Sequence, residues 1–179
     1  MELFVERGYD DVTVADIVER AGLGRRSFYN HFVDKREVLF AAADDFQAAV
    51  LSALADADLA PTALDAVIEA FAQAAERAIA GHRELARARQ RLIDSSPELR
   101  ERDLVKTAAL NAAVADSLTA RGVATREANY VAQAAAMAFA VGVDNWAVHP
   151  DLGLTTSIRS AVQSLRAALD ADQGSASIG

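Results

Sequence analysis

The sequence predicts an all-α fold of about nine helices, in which an N-terminal helix-turn-helix module packs on a larger helical domain. Three observations predict it. Apolar residues recur at helical spacing along most of the chain. No segment alternates with period two over the length of a strand. The breaks between apolar stripes carry glycine, proline and capping residues. The chain has 179 residues, of which 52% are hydrophobic and 25% charged, a globular balance sufficient for a small module joined to a larger domain.

The elements follow in order. Leu3, Phe4 and Arg7 form the end of a helix that stops at Gly8. Thr13 caps the next, with Asp16 completing the box and Val12 stapling on Ile17. Ala15, Ile17, Val18 and Ala21 make its apolar stripe, and Gly22 ends it. A short helix begins near Gly24, with Phe28 and Phe32 on one face. Asp34, paired with Glu37, opens a longer one through Val38, Leu39, Phe46, Val50 and Leu54.

"DADLAP" breaks the pattern, and Thr62 with Asp65 starts the next helix, striped by Leu64, Val67, Ile68 and Phe71. After Gly81, residues 83–94 form a helix crowded with arginine. Ser96 and Pro97 cap and open another, which ends at Gly122. Thr125 caps a helix reaching Trp146. Ile158, Val162, Leu165 and Leu169 stripe the last, and "DQGSASIG" reads as a tail. The boundaries are therefore 1–45 for the helix-turn-helix module, 46–172 for the second domain and 173–179 for the tail.

Composition limits the function. With no cysteine there is no disulfide framework and no thiolate metal site, which fits a cytoplasmic location. No signal pattern begins the chain. The longest apolar run, Val131 to Val143, is short for a membrane span and reads as a fully buried helix, so no membrane partner is expected. The three histidines are scattered, and no phosphate loop or H-E-x-x-H pattern is present. No acid–base or nucleophile set is visible, so neither an enzyme nor a metal or cofactor is expected.

The net charge is −8, yet Arg25, Arg26, Lys35 and Arg36 face only Asp34 between Gly24 and Arg36. A basic segment in an acidic chain fits a polyanion. Two short helices meeting through "AGLG" form a helix-turn-helix, whose second helix reads bases with its N-terminal residues. Phe28 and Phe32 anchor that helix through Ile17 and Ala21. Arg25, Arg26, Ser27, Tyr29, Asn30 and His31 then point outward, and each arginine can donate bidentately to guanine.

The segment "TVADIVERAGLGRRSFYNHFVDKREVLF" resembles the DNA-binding part of the TetR family of bacterial transcriptional regulators. Thr13, the A-G-L turn, the F-Y-x-H-F core, and Lys35 with Leu39 and Phe40 carry the resemblance. It implies an all-α homodimer with a ligand-binding domain behind the reader. It also implies base contacts from Arg25, Arg26 and Ser27, phosphate contacts from Thr13, Tyr29, His31 and Lys35, and either kind from Asn30. The last two helices, about 125–147 and 155–171, are similar to the family's dimerisation pair. Position 24 departs from the family in being Gly rather than Ser.

The middle helices supply candidate ligand-pocket residues: Phe71, Leu110, Val114, Met137 and Trp146. Arg87 and Arg91 stand in a row with Arg83. The segment from His82 to Lys106 resembles the ligand-binding part of TetR-like regulators that sense acyl-coenzyme A-type molecules. The resemblance implies a repressor of operator DNA, released by a small amphipathic effector. The alternative is a ligand-binding helical protein with weakened DNA binding, because only about seven residues precede Gly8.

Overall fold

Helix boundaries follow capping chemistry in a computed structural model that describes residues 1–59 and 61–175. Nine helices lie among the described residues: α1 Glu2–Arg7, α2 Val14–Ala21, α3 Arg25–His31, α4 Lys35–Asp56, α5 Ala63–Ala78, α6 Arg83–Ser95, α7 Pro97–Ala120, α8 Thr125–Val148 and α9 Leu154–Ser175. Thr13 and Asp16 form a reciprocal capping box at α2. The Asp34 carboxylate accepts from the Arg36 and Glu37 amides at the start of α4. Thr62 and Ser96 cap α5 and α7. Two details differ from the sequence reading. Glu37 does not turn back to its cap but pairs with Arg102, and Thr125 is the first residue of α8 behind an Ala124 that offers no side-chain cap. Residues 173–175 of the expected tail belong to α9, which runs to Ser175; residues 176–179 lie outside the described residues.

Two hydrophobic cores share α4. The larger is built around α5, which buries Ala66, Val67, Ile68, Ala70, Phe71, Ala72, Ala74 and Ala75 between α4, α8 and α9. Its polar residues Asp65, Glu69, Gln73 and Glu76 fall on one face, so the remaining wide apolar face is free to pack against three helices. The smaller core joins Leu3, Phe4, Tyr9 and Val12 to Leu39 and Phe40 of α4, and Ile93 of α6 and Leu99 of α7 complete it. The helix-turn-helix module therefore does not close its own core. The second domain fills it, and the boundary drawn at residue 45 falls inside the continuous α4, which is anchored in both cores by Phe40 and Leu54.

The expectation that the Val131–Val143 run is fully buried is not met. Helix α8 buries Ala128, Ala132, Ala135, Ala138, Gly142 and Trp146. Its opposite stripe, Tyr130, Met137, Val141 and Val148, is exposed, with Met137 half accessible at 51%. The spacings of 7, 4 and 7 residues keep those four side chains within about one third of a turn. Alanine-rich composition hid this, because the run is apolar on every face while only one face packs. By length and composition α4 and α8 could each cross a membrane. Here α4 packs on α5 and α7, and α8 on α5, α7 and α9.

Candidate nucleic-acid interface

The candidate reader is α2, a tight turn and α3. Gly22 takes a left-handed conformation, φ 64° and ψ 29°, and its N–H returns to the Val18 and Glu19 carbonyls. That closes α2 and swings the chain through Leu23 into α3. Gly24 caps α3 in an extended conformation with no side-chain bond. Phe28 is buried, and its ring meets Tyr29 edge-on at 5.3 Å and Phe32 at 5.4 Å. Ile17 packs on the smaller core against α1 and α4, and Ala21 lies beside it at the rim of a groove.

With Phe28 inward, Arg25, Arg26, Tyr29, Asn30 and His31 are exposed and Ser27 is half-buried. Helical geometry puts Arg26 and Asn30 about opposite Phe28 and Phe32. Arg25 and Arg26 make no ion pair among the described residues. Neighbouring arginines do pair. Arg7 meets Asp16 at 3.2 Å, Arg20 meets Glu6 at 2.8 Å, and Arg36 meets Asp34 and Glu98. Glu6 and Asp34 are held below their ordinary carboxyl range chiefly by those arginine hydrogen bonds. Among the described residues the two guanidiniums of α3 are thus not committed to an internal carboxylate.

Thr13 is exposed at the foot of α2, and its hydroxyl donates to the Asp16 carboxylate. This bond is the main cause that keeps Asp16 below its usual value. Lys35, for which the resemblance implies a phosphate contact, turns its ammonium onto the turn between α1 and α2. Its ammonium donates to the carbonyls of Tyr9, Asp10 and Val12 at 2.8, 3.3 and 3.0 Å and sits 4.3 Å from the centre of the Tyr9 ring.

The candidate ligand residues are dispersed. Phe71, Val114 and Trp146 are buried in the larger core, and Leu110 packs against it. Met137 and Trp146, nine residues apart, face opposite sides of α8. Arg87 pairs with Glu84 at 3.4 Å, and Arg91 is exposed. Two surface grooves of about 350 Å³ each lie elsewhere. One is lined by α4 and α5 residues including Ser52, Asp56 and Arg77, the other by Met1, Leu3, Phe4, Ile17, Val38 and Leu85.

Sequence reasoning missed three arrangements. Arg83 caps the C-terminal end of α8, donating to the Trp146, His149 and Leu152 carbonyls and lying 4.6 Å from the Trp146 ring. Arg121 does the same for α4 through the Leu54 and Ala57 carbonyls. At the junction of reader and body, Arg102 grips Glu37 at 2.7 Å while Arg36 reaches Glu98 at 3.1 Å. Only the arginine excess of the sequence hinted at these.

Comparison with known proteins agrees with this geometry. Residues 1–42 match the family described as bacterial regulatory proteins, tetR family, and residues 61–170 match the MftR C-terminal domain. The chain belongs to the TetR family. This TetR-family chain is 28% identical over 184 residues to the HTH-type transcriptional regulator TcmR of Streptomyces glaucescens, covering 96% of the chain and 81% of the relative. It is 39% identical over 64 residues to the HTH-type transcriptional repressor DhaR of Mycobacterium sp. (strain GP1), covering 34% and 32%. A putative TetR-family transcriptional regulator from Syntrophomonas wolfei shares the fold, with a TM-score of 0.65 at 19% identity over 90% of this chain and 86% of that one. The TetR-family chain is thus an all-α DNA-binding regulator.

Proposed function

We propose that the protein is a repressor that binds two-fold operator DNA as a homodimer and is released by a small amphipathic effector. The observation that carries the DNA-reading part is the α3 surface. Phe28 locks the helix, while Arg25 and Arg26 stand exposed without an internal carboxylate. Arg25, Arg26 and Ser27 take the base edges. Tyr29 and His31 take phosphates, Asn30 takes either, and Thr13 takes a phosphate at the foot of α2. Self-association through α8 and α9 is supported by the exposed Tyr130, Met137, Val141 and Val148 stripe, which water otherwise covers.

The effector part rests on the match of residues 61–170 to the MftR C-terminal domain. The centre of that part is filled. The Phe46, Phe71 and Phe139 rings lie 4.9 to 6.1 Å apart, so an acyl chain entering beside Phe71, Leu110, Val114 and Trp146 must displace packed aromatic groups. Arg87 and Arg91 would then meet an anionic head. Displacing a packed core couples ligand to reader, because α4 carries both cores.

The test is electrophoretic shift of the DNA upstream of the encoding gene. The wild-type chain is expected to retard it, and an acyl-coenzyme A to release it. Arg25→Ala and Arg26→Ala are each expected to cost about 1–3 kcal/mol of specific affinity. Unchanged binding by the double variant at about 0.1 M salt would falsify the reader assignment.

A further inference from the structure

Lys35 stands where two turns meet. It is the first residue of α4, directly after the turn that leaves α3. The three carbonyls it holds belong to the turn between α1 and α2. An ammonium has three donors, and the three carbonyls take all of them. The stem and head also rest on Tyr9, which is 5% exposed and packs on Phe4 with ring centres 5.7 Å apart. One side chain therefore joins the entrance of α2 to the exit of α3.

We infer that Lys35 is a positioning residue for DNA binding: its ammonium staples the α1–α2 turn to α4, setting the placement of Thr13 and of the α2–α3 unit, and does not itself meet a phosphate. This rests on the DNA-reading function proposed above. The cage is specific to a lysine. Tyr9, Asp10 and Val12 turn their carbonyls toward one point, so they suit a compact head with tetrahedral donors. A flat guanidinium spreads its donors in a plane and cannot converge on them while lying over the same ring. The staple also acts where Thr13 needs it. Val12, whose carbonyl is held at 3.0 Å, immediately precedes the capping box that fixes the Thr13 hydroxyl. A loosened turn would let Thr13 and the first turn of α2 shift together, away from the phosphate they share with the reader.

Lys35→Arg and Lys35→Met in the full chain separate this from a phosphate contact. Arginine keeps the charge and the reach to a phosphate, whereas methionine keeps most of the stem and no charge. With both variants shown folded by melting curves, operator affinity is expected to fall about tenfold in each. The slope of log affinity against log salt is expected to stay at the wild-type value. In the DNA-free chains, amide exchange at Thr13 is expected to quicken about tenfold while exchange in α5 stays unchanged. A uniform loss of stability would quicken both regions together and would count against the staple. The inference is overturned if Lys35→Arg binds the operator as the wild type does. A salt slope shallower by about one in Lys35→Met would overturn it equally. If Lys35→Met does not fold, Lys35→Arg decides through the same readouts. Should the wild-type chain bind no DNA, the functional reading fails alone, and the exchange measurement still tests the staple.

Discussion

Gly142 shows how one residue sets a helix pair. A methyl group there would lie 2.5 Å from the Ile158 Cα and 2.9 Å from its backbone nitrogen. Neither atom can yield without moving α9 as a whole. Gly142→Ala gains helix propensity of about 1 kcal/mol, but the overpacking is expected to outweigh it. The net loss should be about 1–3 kcal/mol in urea unfolding, with Ser160→Ala as an exposed control. An unchanged midpoint would show that the pair separates freely. At this scale the sequence was legible wherever chemistry is local. The capping by Thr13, Gly22 and Ser96 and the burial of Phe28 each follow from two or three sequence neighbours, and each is found. Lys35 was not legible. Its partners lie more than twenty residues away and are backbone carbonyls, which leave no mark in the sequence.

Among elements, α4 matters most, because it enters both cores and its first turn is gripped by α7. Arg102 and Glu37 have side chains only 28% and 24% exposed, so their pair is shielded from salt more than a surface pair. The Arg102 hydrogen bond to Glu37 at 2.8 Å runs through its terminal nitrogen. A double-mutant cycle on Arg102→Ala and Glu37→Ala is expected to give a coupling of about 1–2 kcal/mol in unfolding. A coupling near zero would mean that α7 does not hold the reader through this pair. The helix count and order were readable because apolar stripes and caps recur locally. The sharing of the smaller core with Ile93 and Leu99 was not, since burial of a residue against a distant helix has no local signature. The arginine row at 83, 87 and 91 illustrates the same limit. It is one helical face in sequence, but Arg83 is committed to the end of α8, Arg87 pairs with Glu84 and Arg91 faces solvent.

At the scale of the molecule, the exposed Arg25 and Arg26 on α3 and the uncovered apolar stripe on α8 are the surfaces that the proposed function uses. Placing Met137→Glu and Val141→Glu together on that stripe would bury two like charges from each protomer in a two-fold contact. Sedimentation should then show the wild-type chain at about twice the monomer mass and the double variant as a folded monomer. A folded variant that still sediments as a dimer would move the interface away from this stripe. Two readers held by such a contact should meet successive major grooves on one side of a duplex, with half-sites about 10–10.5 base pairs apart or at multiples of that spacing.

Selection from a random duplex library, sequenced after binding at fixed salt, tests the central claim that α3 is the reader. The wild-type chain is expected to enrich a two-fold symmetric sequence with guanines in each half-site. Arg25→Ala and Arg26→Ala should each lose preference at a distinct position in both half-sites while leaving the spacing intact. Identical enriched sequences from the wild type and both variants would contradict it, as would no enriched sequence at all.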